Sequence, residues 1–300
     1  MEEFDVIIAG AGTAGLSAAL VSGRALKKTL VCSSGQPRNA PSHQAHSFFS
    51  RDGASPAELL AIGRQQLGSY ESVEVREAQI VKAWKREEHF EVELDNGSHL
   101  RARKILFATG MIDELPPIEG LQAMWGVSAL HCPYCHGWEV RGQPLAIYGQ
   151  GAVGFELCKL LRGWSQDLVL YTNGPANLTE EQRAQLSRHH ISVREEEIAR
   201  FEAVEGQLER IVLTNGEVLP RQALFIRPAQ RQRSELPEML GCHIEEGLVQ
   251  IDQMGQTSVA GVYAAGDMTH RFQQLSYAAF SGARAASVIN HALLAEDFAG

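Results

Sequence analysis

The chain opens on a short apolar run, "FDVIIAG", and then passes through glycines into "AGLSAALVSGRAL", where apolar positions recur every three or four residues. That change of period predicts a buried strand, a glycine turn and an amphipathic helix. A second strand is expected in "KKTLVCSSG". Between residues 73 and 109 the pattern alternates through "VEVREAQIVKAW" and "HFEVELDNGSHLRARKILFATG", and Asn96-Gly97 marks a tight turn, so hairpins are expected there. The prolines of "DELPPIEGL", residues 113 to 121, interrupt both periods and predict a crossing between domains. Beyond it, "GQPLAIYGQGAVGFELCKLLRGWSQDLVLYTNG" repeats strand, glycine turn, helix and strand. This is a duplicated supersecondary unit rather than a short-period array. Further strands are predicted in "GQLERIVLTNGEVLPRQALFI" and "EEGLVQIDQMGQTSVAGVYAAGD", and a closing helix from about Gln273 to Ala295. The expected fold class is α/β, with two Rossmann-like dinucleotide-binding domains.

Composition narrows the function. With 300 residues, 44% hydrophobic and 21% charged, the chain is long enough for two ordinary domains with real cores. A net charge of −9 argues against a general nucleic-acid or acidic-membrane surface. The acidic start "MEEFDVIIAG" lacks the basic and long apolar regions of a secretory signal, and no apolar run reaches membrane-spanning length. Five cysteines, Cys32, Cys132, Cys135, Cys158 and Cys242, do not form a disulfide framework. A cytoplasmic address is expected, where a cysteine pair is catalytic or metal-binding, and Cys32, Cys158 and Cys242 are expected to pack as small apolar residues.

Gly10-Ala11-Gly12-Thr13-Ala14-Gly15 follows an apolar strand and opens a helix. In that context Gly10, Gly12 and Gly15 permit a tight turn, backbone approach to a pyrophosphate and close packing of helix on strand, and the helix N-terminus favours the negative charge. The second strand ends in Cys32, Ser33 and Ser34, without the acid that commonly holds the adenosine ribose. Ser33 is left to hydrogen-bond a hydroxyl, more weakly than a carboxylate would. The second turn, Gly149-Gln150-Gly151-Ala152-Val153-Gly154, is also placed between strand and helix. Its next strand ends "LVLYTNGPANLT", with neither an acid for NAD nor an arginine for the 2′-phosphate of NADP, so these glycines also read as a packing device.

The chemistry is concentrated in His131-Cys132-Pro133-Tyr134-Cys135-His136. A haem attachment reading matches Cys-x-x-Cys-His, but covalent haem attachment goes with export. A zinc reading has four candidate ligands and no distant second pair, so no metal is expected. A redox dithiol needs two sulfurs within bonding reach and a lowered thiol pKa; the spacing puts both at one helical turn, with Pro133 suited to the first helical position. The redox reading is preferred. The flanking histidines would stabilise a thiolate or carry its proton.

"DVIIAGAGTAGLSAAL", "ILFATG", the central Cys-x-x-Cys and "TSVAGVYAAGD" occur in the order found in low-molecular-weight thioredoxin reductases, and the resemblance covers essentially the whole chain. It implies a homodimeric flavoprotein whose discontinuous FAD domain, residues 1–114 and 246–300, surrounds an NAD(P)-type domain, residues 117–243, carrying the Cys pair. The resemblance implies that Gly10, Gly12, Thr13, Ala14 and Gly15 serve the FAD pyrophosphate, with Thr109 and Gly110 alongside the dinucleotide. Gly266 and Asp267 would meet the ribityl or phosphate region, and Gln274 and Leu275 the flavin pyrimidine edge. In "PRNAPSHQAHSFFSRDG", Arg38 and Asn39 are candidates for phosphate contact, and His43 and His46 for the flavin's neighbourhood, against ordinary loop roles. "HCPYCHG" in place of Cys-Ala-Thr-Cys-Asp-Gly, and "YTNGPA" in place of a basic NADPH cluster, are more similar to the dithiol-oxidase branch, which closes disulfides in gliotoxin- and holomycin-type metabolites with FAD and dioxygen. By the same resemblance Cys132 exchanges with substrate, Cys135 faces the flavin and His136 acts as general base and acid, with His131 a further candidate. The expectation is an FAD-dependent thiol–disulfide oxidoreductase without NADPH dependence, acting on a small dithiol or disulfide or a thioredoxin-like protein, with oxygen or another electron partner. The alternatives are an NAD(P)H-dependent thioredoxin reductase, a second flavin in the second unit, and a non-enzymatic flavin sensor.

Overall fold

The computed structural model describes every residue except Ser34, Gln36 and Gly300. The chain forms two compact units: Met1–Arg38, Phe48–Ile112 and Gln230–Gly300 make the first, and Asn39–Ser47 with Asp113–Ala229 the second. These differ from the segments drawn on the sequence in three places. Residues 230–243 fold with the first unit, and residues 39–47 and 113–114 with the second.

In the first unit, β1 (Glu2–Ala9), α1 (Thr13–Arg24), β2 (Thr29–Ser33), α2 (Pro56–Leu67) and β3 (Val73–Glu77) lead into a meander of β4 (Ile80–Lys85), β5 (Phe90–Leu94) and β6 (His99–Phe107). The sheet runs β3-β2-β1-β6-β5-β4. β1 is parallel to both neighbours, with Ile7 opposite Leu30 and Ile105. The alternation of β1 divides the core. Val6 and Ile8 pack with Leu106 and the apolar faces of the helices, whereas Ile7 and Ala9 pack with Phe107, Val92 and Leu94. A strand buried on both faces needs the unbroken apolar run seen in its sequence. Hairpins form at β4-β5 and β5-β6, the latter closed through Asn96-Gly97. β3, read with the hairpins, is instead parallel to β2, Val75 opposite Val31, because α2 returns the chain in the same direction.

In the second unit the parallel sheet is built from β7 (Ala129–Leu130), β8 (Leu145–Tyr148), β9 (Leu168–Tyr171), β10 (Ser192–Arg194) and β14 (Ala223–Ile226), in the order β10-β9-β8-β14-β7. An antiparallel meander, β11 (Ile198–Val204), β12 (Gln207–Leu213) and β13 (Val218–Pro220), precedes β14. Two helices matter for chemistry: α3 (Pro133–His136), following β7, and α4 (Gly151–Leu161), following β8. Leu145 and Ile147 face one apolar cluster with Phe155 and Leu157 of α4, and Ala146 faces the other with Phe201 and Ile211 of the meander.

The chain then completes the first unit. β15 (Val262–Ala264) adds to β6 in parallel, and α5 (Leu275–Ala299) runs two residues later in its start and four later in its end than the periodicity placed it. α5 approaches α1 closely: any side chain at Gly282 would run into the Ala14 carbonyl. Among the described residues no helix is long and apolar enough to cross a membrane.

Candidate functional site

The first glycine turn is closed on two sides and open on the third. Gly10 has φ 112°, and a Cβ there would run into the Ala108 carbonyl; one at Gly15 would run into the Gly10 carbonyl. Gly12, the N-cap of α1, is different: a Cβ there meets nothing within 4 Å. No side chain caps α1, and its first turn carries no acid. The backbone N–H groups at Thr13, Ala14 and Gly15 therefore suit an anion such as a pyrophosphate. A recess beside this turn is lined by Gly10, Cys32, Gln79, Thr109 and Arg233.

Two of the isolated sequence candidates are joined here. The Arg38 guanidinium bonds Asp267 Oδ2 at 3.2 Å and Gln273 Oε1 at 2.6 Å. Gln273 in turn exchanges amide hydrogen bonds with Gln230 at 2.9 and 3.0 Å. Neither glutamine stands in a motif, so no sequence signal marked them. Gln274 and Leu275 open α5 directly after this network, and Gly266 donates its N–H to Ser281 Oγ at 3.0 Å. Thr109 Oγ1 lies 3.6 Å from Met268 Sδ, and Gly110 has space around it. Ser33 is buried and accepts from Arg64 Nη2 at 2.9 Å. Arg64 also pairs with Glu77, whose carboxyl it holds below the ordinary range. A serine, an arginine and a glutamate thus stand at the strand end where an acid was missing; Ser34 lies outside the described residues.

The second glycine turn is filled by its own chain. The loop after β9 folds over the head of α4, where Gly151 N–H donates to Ala176 O at 2.7 Å. A Cβ on Gly151 would sit 3.3 Å from Asn177 O. The Gln150 amide donates to Thr172 O at 2.8 Å and accepts from Asn177 Nδ2 at 3.3 Å.

The cysteine pair heads α3. Cys132 is the N-cap in extended conformation, Pro133 occupies the first helical position, and Cys132 and Cys135 are disulfide-bonded across a Cα–Cα distance of 5.3 Å. Both cysteines are partly exposed. Gly137 ends the helix where a Cβ would collide with the Pro133 carbonyl and the Trp164 ring. Tyr134, between the cysteines, is exposed and meets Trp164 edge-on, with ring centroids 5.4 Å apart. Trp138 is exposed as well, and the Arg141 guanidinium lies 3.8 Å from its ring centre. His131 packs against Trp125 at 5.9 Å.

His136 follows Cys135 directly and sits in a mostly buried setting. Burial pushes its pKa below the ordinary histidine value, opposed by the charge of Glu139 and assisted by His46. A base-form imidazole beside a thiol pair can take and return a thiol proton near neutral pH. Segment 39–47 contributes to this surface: Ser42 Oγ lies 3.4 Å from His136 Nε2, and His46 Nε2 lies 3.4 Å from Glu139 Oε1. The structure therefore gathers Cys132, Cys135 and His136, and adds Ser42, His46 and Glu139, of which the motif reading had weighed His46 alone. Asn39, a candidate for phosphate contact, and His43, a candidate for the flavin's neighbourhood, fold with this second unit, while Arg38 belongs to the first. His43 is exposed. The other cysteines are buried and unbonded, and burial pushes the thiols of Cys32 and Cys158 up to about 12. Among the described residues no three His, Cys, Asp or Glu side chains gather as a metal site.

The sequence model of the pyridine nucleotide-disulphide oxidoreductase family matches residues 4–282. The thioredoxin reductase tcpT of Claviceps purpurea (strain 20.1) is 30% identical over 304 residues, covering 97% of this chain and 95% of that one. Among solved structures, HlmI matches with a TM-score of 0.94 at 37% identity, covering 99% of this chain and 94% of the other. An oxidoreductase from Agrobacterium tumefaciens matches with a TM-score of 0.92 at 32% identity, covering 98% and 99%. The resemblance drawn from the motifs, and the α/β dinucleotide-binding fold it implied, are borne out.

Proposed function

This chain belongs to the pyridine nucleotide-disulphide oxidoreductase family, and on that premise we propose that it is an FAD-dependent thiol–disulfide oxidoreductase that works through Cys132 and Cys135 and does not draw electrons from NADPH. The observation carrying this reading is the contrast between an open first glycine turn and a second one occupied by Ala176 and Asn177. The first fits a dinucleotide pyrophosphate at Gly12 and the N-terminus of α1. Arg38, Asp267, Gln273, Gln274 and Leu275 are proposed to hold the rest of the cofactor, with Ser33 at the ribose.

In the oxidising direction, a substrate thiolate attacks Cys132 Sγ, breaking the Cys132–Cys135 bond and releasing Cys135 as thiolate. The second substrate thiol, deprotonated by His136, attacks the substrate sulfur of the mixed disulfide and releases Cys132. The substrate leaves as a disulfide, two electrons poorer, and the pair is left reduced with the protons it received. FAD held at Gly12 and the N-terminus of α1 would supply a two-electron acceptor for the reduced pair, with dioxygen or another oxidant as the final acceptor. His136 returns a proton to the leaving thiolate, and His131, tilted against Trp125, is a second proton carrier. The substrate class is a small dithiol, in keeping with two partly exposed cysteines flanked by exposed Tyr134 and Trp138.

The test is anaerobic mixing of the purified yellow protein with NADPH, NADH or a dithiol while the visible flavin band is followed. Bleaching by dithiol alone, abolished in Cys135→Ser, is expected. Rapid bleaching by NADPH would overturn the nicotinamide-independent reading, and a colourless protein that takes up no FAD would overturn the flavin reading itself.

A further inference from the structure

Segment 39–47, whose His43 and His46 are candidates for a flavin's neighbourhood against ordinary loop roles, folds with the cysteine unit. Its seat is specific. Gly126 gives Pro41 its place, since a Cβ there would stand 2.8 Å from Pro41 Cβ. Ser42 N–H donates to Asn39 O at 3.0 Å, and Ser47 Oγ lies 3.5 Å from Tyr134 O. These contacts place the Ser42 hydroxyl between two polar atoms, Gly126 O at 3.3 Å and His136 Nε2 at 3.4 Å.

A serine hydroxyl has one hydrogen to donate and lone pairs to accept with. For the hydroxyl to bond both neighbours its hydrogen has to go to Gly126 O, because a carbonyl can only accept. The oxygen then faces Nε2 as an acceptor, and Nε2 must carry a hydrogen. In a neutral imidazole the lone pair is then on Nδ1. We propose that Ser42 is a positioning residue that holds His136 as the Nε2-protonated tautomer, making Nδ1 the atom that takes and returns the thiol proton. When Nδ1 gains a proton from the substrate thiol, the ring becomes an imidazolium with both nitrogens donating. Ser42 still accepts at Nε2, so the ring keeps its orientation until the proton passes to the leaving cysteine thiolate. The charged groups facing the ring are Glu139, from the turn after α3, which favours the cation, and His46, from segment 39–47, which opposes it. Glu139 and His46 themselves stand 3.4 Å apart, Oε1 to Nε2. The catalytic consequence rests on the reading of His136 as the acid–base group; the tautomer does not.

The experiment is nitrogen-15 NMR of the full chain labelled at histidine, with the His136 signals assigned by their loss in His136→Gln. At a pH where the ring is neutral, the wild-type spectrum is expected to show a protonated Nε2 and an unprotonated Nδ1. Ser42→Ala is expected to give a mixture of tautomers, and Ser42→Thr to restore the wild-type pattern. In dithiol turnover Ser42→Ala should lower kcat about three- to tenfold with KM unmoved, the scale set by one neutral hydrogen bond. Ser42→Thr should rescue most of it. A wild-type ring protonated at Nδ1, or a Ser42→Ala spectrum identical to wild type, overturns the proposal even if turnover changes. If the tautomer behaves as stated but no dithiol reduces the flavin, the function reading fails and the role of Ser42 in fixing the ring stands.

Discussion

Gly12 and Gly151 occupy equivalent places, each at the head of a helix that follows a parallel strand, yet their surroundings are opposite. A side-chain carbon added at Gly12 meets no atom within 4 Å, whereas Gly151 already gives its N–H to Ala176 and has Asn177 at its flank. One turn leaves its helix dipole for a ligand; the other spends it on a carbonyl of its own loop. The lesson is that a glycine spacing specifies a backbone shape, while the loop after the next strand decides whether a phosphate can use it.

The largest effect expected from breaking this contrast is at the open turn. Gly12→Val should abolish flavin retention, lowering FAD affinity by about 100-fold or more if two charge-assisted backbone hydrogen bonds are lost. Thermal unfolding of the apoprotein should barely change, because the space is free. The mirror substitution, Gly151→Val at the closed turn, sets a side chain 3.3 Å from Asn177 O on a backbone at φ 53°. It should leave the flavin affinity intact and cost about 1–3 kcal/mol in denaturant unfolding, the range for overpacking. If both variants lose flavin and neither loses stability, the contrast is wrong.

The next effect is on pH. Burial lowers the His136 pKa in the folded chain, so the folded state binds fewer protons than the unfolded one once pH falls below the unfolded histidine value of about 6.5. Its stabilising contribution is present above that pH and is lost as pH falls through the lower folded value. The acidic limb of dithiol turnover should accordingly lie below pH 6.5 and be lost in His136→Gln, while the stability of that variant should fall less steeply with acid. A limb that His136→Gln leaves in place would assign the proton to another group. The smallest effect concerns the remaining cysteines. With Cys32, Cys158 and Cys242 buried, a thiol reagent should label only Cys132 and Cys135 after reduction of the native protein, and Cys158→Ala should leave that count unchanged.

Much of the fold was legible because it is written locally. The apolar run of β1, the glycines after it, the proline-broken crossing and the repeated unit each declare themselves within about fifteen residues, the span over which periodicity operates. The cysteine pair was legible for the same reason, since Pro133 and the spacing describe a single helical turn. The parallel placement of β3 was not, because its alternation suits either a hairpin or a sheet neighbour and only the return of α2 decides. Nor were Arg64 and Glu77 around Ser33, or Gln230 and Gln273 around Arg38, since these meet across 31 to 235 residues of chain. Ser42 had a signal of a kind: it lies in a polar, histidine-rich segment too patterned for a plain linker, though nothing local told which unit would receive it.

The excursion of residues 39–47 means that the polypeptide crosses between its two bodies four times, at 38/39, 47/48, 112/113 and 229/230. Anyone building a chimera with a relative by exchanging the contiguous block 113–229 would transplant the cysteines and their histidine while leaving behind the nine residues that seat it. Such a hybrid inherits the redox pair of one parent and the imidazole environment of the other, so a faithful exchange has to move two pieces together.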